Sequence, residues 1–249
     1  MEDPTYDTTV PGLFAFPVLT EDQLARAVKF RESEAAKGNK QMREAGYEVS
    51  YLMDEDNADF PKMQAIVREI IQENTETAEY AAAVADLEEK GYQIPKPNFP
   101  FKRGDKMADK SKAKREKLNK APNQEYLRAK IVLVARSGFP VPLTVIKNNK
   151  AIDLDNEMLV KLHGKMFFAG AEGLIRVKFS WYNPTMLVPG GGVNAYLQLA
   201  FATGKGKPFP GTGGPSGAEA FKGYAGRPSN IDPLKGRDFA DLVDDEIPF

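Results

Sequence analysis

A small closed β-barrel with helices inserted between its strands is the fold class this sequence predicts. Three observations carry it. Short segments of alternating apolar residues recur with turn residues between them. Two such segments stand apart near the N-terminus, and helical periodicity is confined to the stretches after each of them.

The first segment, residues 12–19 (GLFAFPVL), is a short aromatic strand in which Pro17 marks an edge or bend. Thr20 and Gln23 follow at capping-box spacing and open a helix with Leu24, Ala27, Val28 and Arg31 at helical intervals, a region that Gly46 ends. In residues 47–53 (YEVSYLM), Tyr47, Val49, Tyr51 and Met53 share one face at strand period. Asp59 with Pro61 begins a helix carrying Met63, Ile66, Val67, Ile70 and Ile71. A second helical stretch over 78–90 stops at Gly91, a suitable left-handed cap. These helices hold much of the acidic excess and are expected to cover one side of a sheet with their charged faces in water.

Residues 96–123 are dense in lysine and arginine and contain Phe99 and Phe101 between prolines, which reads as a long, partly ordered loop. Strands are expected over 126–137, 141–146, 173–182 and 193–202. The predicted organisation is a barrel domain over 1–203, a flexible Gly/Pro-rich linker over 204–237 and an acidic tail over 238–249.

That tail (DFADLVDDEIPF) holds five carboxylates and no basic residue. Its composition cannot bury enough apolar surface to offset its ordering entropy. A solubility tail has no need of Ile247 and Phe249. An apolar end with Ile247, Pro248 and Phe249 preceded by Asp244, Asp245 and Glu246 suits a small hydrophobic pocket with a basic rim on a partner protein.

The net charge of −1 conceals segregation: residues 1–90 carry a net −11, residues 91–237 a net +15 and residues 238–249 a net −5. The basic middle would attract a phosphate backbone, and the tail is its obvious intramolecular competitor. The absence of cysteine excludes disulfides and thiolate zinc sites and favours a cytoplasmic compartment. No apolar run approaches membrane-spanning length, and the acidic first residues are unlike a signal peptide.

Alternation in 173–182 puts Arg176, Lys178, Ser180 and Tyr182 on one face and Ile175, Val177, Phe179 and Trp181 on the other. In 126–137 it aligns Arg128, Lys130 and Arg136. A solvated face explains one such strand. Two of them, together with Lys102, Arg103 and Lys106 of the basic segment and an acidic tail, favour a positive groove for nucleic acid. Phe99, Phe101, Phe139, Trp181 and Tyr182 are the aromatic candidates for stacking on bases, with Tyr47 and Tyr51 behind them. Core burial is the ordinary fate of each, and Trp181 falls on the core face of its strand.

Signals for catalysis are poor. His163 has no histidine or cysteine near it, and Asp153, Asp155, Asn156 and Glu157 lack the glycine of a calcium loop. Asp54, Glu55, Asp56 and Asp59 fit a helix-capping acidic loop better than a metal site. No catalytic residue, metal or cofactor is therefore assigned.

With the tail, the basic strand faces and the early strand pair in place, the chain resembles the single-stranded DNA-binding proteins of tailed bacteriophages. The order LFAFPVL, YEVSYLM, a long helix, PNFPFKRGDK, YLRAKIVLVAR, GLIRVKFSWYNP and a last strand leading to KGKPF is similar to theirs, over most of residues 12–209. The tip DDEIPF resembles the acidic Ile-Pro-Phe end of bacterial single-stranded DNA-binding proteins. The family has a shorter connection where this chain carries residues 20–46. The resemblance implies an oligonucleotide-binding fold (OB-fold), a five-stranded Greek-key barrel. It further implies a non-enzymatic protein, monomeric or homodimeric, that coats single strands in replication and recombination. Its tail would recruit replication proteins such as a DNA polymerase, helicase or primase. A metal-dependent nuclease using the Asp54 to Asp59 carboxylates, and an RNA-binding protein, are the alternatives.

Overall fold

The computed structural model describes residues 3–36, 45–117, 124–147 and 150–209. Among the described residues nine strands form one sheet, and five of them close on themselves. β1 is Thr5–Asp7 and β2 Gly12–Val18, followed by α1 at Glu21–Ala36 and β3 at Tyr47–Asp54. Helices α2 (Asp59–Thr75) and α3 (Ala78–Glu89) lead to β4 (Phe101–Arg103) and α4 (Gly104–Glu116). Then come β5 (Lys130–Ser137), β6 (Leu143–Lys147), β7 (Lys150–Asp153), α5 (Glu157–His163), β8 (Ala171–Tyr182) and β9 (Gly192–Gly206).

The ring runs β2, β3, β5, β9, β8 and back to β2. β2 pairs antiparallel with β3 (Phe14 opposite Tyr51), and β3 with β5 (Tyr51 opposite Leu133). β5 pairs parallel with β9 (Ala135 opposite Ala195), β9 antiparallel with β8 (Ala195 opposite Phe179), and β8 with β2 (Glu172 opposite Leu13). In chain order these five strands have the neighbour sequence 1-2-3-5-4-1 with a single parallel contact between the third and fifth. That is the OB-fold barrel the sequence led us to expect. The extra strands decorate it, with β1 on β8, β4 on β5, and β6 on β9 with β7 beyond.

Inward residues at period two fill the barrel: Phe14, Val49, Tyr51, Leu133, Ala135, Ile175, Val177, Phe179, Ala195 and Leu197 belong to one buried cluster. α2 adds Met63, Val67 and Ile70 from its apolar stripe to the same core. β2 and β8 cross so closely that a Cβ on Gly173 would lie 2.4 Å from the Phe14 ring and 2.3 Å from the Phe201 carbonyl oxygen. At the same crossing the fully buried Tyr51 hydroxyl donates to the Gly173 carbonyl (3.0 Å) and accepts from the Gly12 N–H (2.7 Å). Burial pushes its pKa up to about 12, so it remains a donor throughout the physiological range.

The local signals hold where they are local. Thr20 and Gln23 cap α1 reciprocally, at 3.1 and 3.3 Å. Gly91 takes φ +84° just after α3. Asn156 accepts from the Leu159 N–H at 3.0 Å, so the Asp-Leu-Asp-Asn-Glu run is a helix cap.

Three expectations need correction. Residues 96–123, read as a loop, contain β4 and α4. Gly104 makes the tight entry to α4, since a Cβ there would fall 1.9 Å from the Leu127 carbonyl oxygen. The strand expected over 126–137 begins only at Lys130, because Glu125–Leu127 form a 3-10 turn and Ala129 takes φ +55°. Arg128 therefore lies outside the strand to which alternation assigned it. Lastly, β9 runs to Gly206, and Phe209 is buried and stacked on Tyr126 (4.0 Å between rings, 6° between planes), beyond the expected boundary at 203.

Phe209 joins Ala15, Leu52, Ala108, Leu127 and Val132 in a second apolar cluster. This cluster sits on the outer face of β2, β3 and β5, where residues of α4 and the 3-10 turn pack on the sheet. The outer face stays open over the second half of β5, β9 and the end of β8.

Candidate nucleic-acid interface

Register builds the open face. Arg136 on β5 is flanked by Glu48 on β3 and Tyr196 on β9, and Tyr196 in turn by Lys178 on β8. Tyr196 projects outward between two cations with 44% of its surface in water. Around it, Asn98, Phe99, Lys102, Arg136, Tyr182 and Asn194 line a groove of about 290 Å³. Asn98 Nδ2 donates to the Tyr182 hydroxyl at 3.0 Å and fixes that ring at the groove wall.

Lys102 connects this groove to a wider one of about 760 Å³ between β4 and α4, lined by Phe101, Arg103, Lys106, Lys110 and Lys114 among others. The three α4 lysines are spaced four apart and so occupy one helix face. Between the grooves, Phe60 and Phe101 meet edge to face at 5.4 Å, and Phe99 lies 5.6 Å from Phe101. The surface thus presents two outward tyrosines, a half-buried phenylalanine cluster and a line of lysines. This is the composition that grips a sugar-phosphate backbone and stacks bases.

The basic residues divide into two populations. Arg136 donates to Glu48 at 2.9 Å, and Arg176 holds Asp7 through both carboxylate oxygens at 2.6 and 2.7 Å. Lys178 lies 3.2 Å from Asp3, Arg103 2.9 Å from Glu55, and Lys130 pairs with Asp54. Arg128 bridges Glu125 at 2.5 Å and Asp109 at 2.9 Å. Hydrogen bonding to these carboxylates raises the pKa of Arg103, Arg128 and Arg176, and the Arg176 guanidinium beside Asp7 holds that carboxyl below its ordinary value. By contrast Lys102, Lys106, Lys110 and Lys114 form no ion pair among the described residues.

Lys102, Phe99 and Tyr182 therefore come together in the first groove with Arg136, while Phe101, Lys102, Arg103 and Lys106 line the second. Arg176 and Lys178 lie on β8 opposite Asp7 and Thr5 of β1. Arg128 and Lys130 face acidic partners near the start of β5. Phe139 stands alone at the tip of the β5–β6 connection, 79% exposed, and lines neither groove. Trp181 is half-buried against Tyr80 (5.9 Å), its Nε1 donating to Asn183 Oδ1 at 2.7 Å. Tyr47 and Tyr51 are core residues. Asp244, Asp245, Glu246, Ile247, Pro248 and Phe249 lie outside the described residues.

Sequence reasoning passed over Tyr196, Asn194 and the alignment of Lys110 with Lys114. Tyr196 was legible as the outward position in Val-Asn-Ala-Tyr-Leu-Gln-Leu. The lysine stripe was hidden by reading α4 as a loop.

The carboxylates considered for a metal are engaged elsewhere. Asp54 and Glu55 hold Lys130 and Arg103. The fully buried Asp59 accepts from the Tyr6 hydroxyl (2.8 Å), the Thr9 N–H and hydroxyl (2.6 and 2.8 Å) and the Val10 N–H (2.7 Å). Burial raises the Asp59 pKa, but these donors outweigh it and hold the group below its ordinary 3.8. No group of three histidine or acidic side chains stands at metal-binding distance among the described residues. His163 is buried, and its pKa is lowered by that burial and by Lys147 and Lys165. Among the described residues no helix is long and apolar enough to cross a membrane.

No protein-family model and no curated protein matches the chain. Solved structures do. The single-stranded DNA-binding protein from bacteriophage Enc34 matches at a TM-score of 0.49 with 12% identity, over 86% of this chain and 88% of that one. The same phage protein in complex with single-stranded DNA matches at 0.42 and 13%, over 69% and 78%. Gp2.5, a single-stranded DNA-binding protein encoded by bacteriophage T7, matches at 0.47 and 11%, over 92% and 97%. Single-stranded DNA-binding proteins of bacteriophages are thus what this chain is similar to in structure, and its own strand connectivity makes it an OB-fold barrel.

Proposed function

We propose that this chain binds single-stranded DNA with little sequence preference, without catalysis, along the path from Tyr196 and Tyr182 over Lys102 to Lys106, Lys110 and Lys114. The observation that carries the reading is the continuity of two outward tyrosines with four lysines that have no carboxylate partner among the described residues. An unpaired lysine gives up only water and counterions when a phosphate arrives, whereas a paired one must first lose its carboxylate. The two tyrosines offer π-faces to any base, which makes binding tolerant of sequence.

The role we infer is to coat and protect single strands during phage replication and recombination. Residues 238–249 then act as a hook for replication proteins. Phe209, the last described residue, stacks on Tyr126, two residues from Gln124, which lines the same groove as the α4 lysines. A tether of the length of 210–237 has a root-mean-square reach of roughly 30 Å, which keeps the acidic tip at about millimolar effective concentration over the groove. DNA and tail then compete, and bound DNA frees Ile247, Pro248 and Phe249.

The test is titration of labelled oligothymidine over a range of salt, with matched duplex and RNA as competitors and with magnesium or manganese added in parallel. The reading expects affinity falling steeply with salt, single strands preferred over duplex, DNA over RNA, and intact substrate. Flat salt dependence or equal duplex binding would overturn it, and cleaved substrate would establish the nuclease instead.

A further inference from the structure

The connection between β8 and β9 ends in two large apolar side chains that no packing among the described residues explains. Leu187 is 94% exposed and Met186 62% exposed, side by side at the tip. An isolated exposed leucine is ordinary. This pair is held out by a locked turn. The Thr185 N–H donates to the Val188 carbonyl at 3.1 Å, and the Val188 N–H to the Thr185 carbonyl at 3.0 Å and hydroxyl at 3.2 Å.

The base of the tip is equally fixed. The Asn98 N–H donates to the Gly191 carbonyl (2.9 Å), and the Asn98 carbonyl accepts from the Val193 N–H (3.1 Å). A Cβ on Gly190 would sit 2.5 Å from the Pro95 carbonyl oxygen, so the ribbon lies flush on residues 95–98. On the other side, Asn183 Nδ2 donates to Glu79 at 2.6 Å. Residues 183–193 contain no charged side chain. Tyr182 and Asn98, which line the tyrosine groove, stand at the foot of this ribbon, Tyr182 directly opposite Gly192. A strand leaving that groove along β8 and β9 meets the tip next.

We propose that Met186 and Leu187 form an apolar wedge that inserts between adjacent bases of a strand held in the groove, so that the protein opens the end of a duplex. The inference rests on the single-stranded DNA reading above. Unstacking a base step is unfavourable and exposes two apolar ring faces, which methionine and leucine cover and water does not. A stiff turn suits the task because insertion then orders no flexible loop.

The experiment uses the full chain with two probes. Oligothymidine reports groove affinity, and a forked duplex with 2-aminopurine at the first base pair reports unstacking by its fluorescence. The wild type brightens the fork. The double variant Met186→Ser with Leu187→Ser keeps its oligothymidine affinity within about threefold but loses more than half of that brightening, since only the apolar faces are removed. Undiminished brightening by the variant would overturn the wedge and leave the groove standing. Loss of self-association in sedimentation, with brightening unchanged, would assign the tip to a second copy instead. Failure of the wild type to bind oligothymidine would overturn the functional reading, and the wedge with it.

Discussion

The paired cations of the barrel strands and the groove-lining lysines of β4 and α4 came from one basic block of sequence, and folding treats them oppositely. Arg176 and Lys178 face Asp7 and Asp3 of the N-terminal segment, Arg136 faces Glu48, and Lys130 faces Asp54. Lys102, Lys106, Lys110 and Lys114 border open grooves with no such partner among the described residues. The acidic first third of the chain is therefore an internal counterion set for the barrel, and charge counted along the sequence overstates the charge a ligand meets. Exposed ion pairs are weak, on the order of 0–1 kcal/mol each. Their effect on binding is a reduced attraction rather than a closed door.

Changing Lys102, Lys106, Lys110 and Lys114 together to glutamine tests the division most severely. Affinity for oligothymidine should fall on the order of 100-fold, and the slope of log affinity against log salt should flatten by about 2.8 units for four lost phosphate contacts. Equal losses from a matched set of paired strand cations would erase the distinction between the two populations.

The N-terminal strand depends on Asp59, which gathers bonds from Tyr6, Thr9 and Val10. Asp59→Ala should cost about 2–4 kcal/mol in chemical denaturation, because buried donors lose a charged acceptor. In the wild type the Asp59 carboxyl has its folded pKa below the ordinary 3.8, so its stabilising contribution is complete above that value and is lost as pH falls through the folded pKa. Acid unfolding below pH 4 should be weaker in Asp59→Asn, whose side chain does not titrate. Identical acid limbs for the two proteins would remove Asp59 from that role.

Asp3→Asn with Asp7→Asn leaves the Asp59 bonds intact and uncovers Lys178 and Arg176. Oligothymidine affinity at low salt should rise about three- to tenfold, with the salt slope steeper by about 1.4 units for two added contacts. The smallest effect is expected from Arg176→Gln with Lys178→Gln, a loss of about twofold or less, since both cations already satisfy carboxylates. A large loss there would mean that the N-terminal strand yields readily to DNA.

Much of the barrel was legible beforehand. Strand faces in β3, β8 and β9 follow alternation because side-chain direction is a local property of extended backbone. Thr20, Gln23 and Gly91 marked helix ends because capping involves residues three or four apart. The α4 region was misread since its helix is amphipathic only weakly: Gly104 and Ala108 are its buried residues, and both are small. Tyr196 escaped notice because an outward tyrosine in a strand looks like any other until register sets Arg136 and Lys178 beside it.

By itself the sequence determined the existence of the five barrel strands, the caps, the segregated charge and the acidic apolar tip, all of which follow from residues near one another along the chain. Tertiary structure alone decided which cations remain free. Asp7 and Arg176 are 169 positions apart and meet only because β1 adds to β8. No local pattern carries that information, since ion pairing depends on what ring closure sets opposite each side chain.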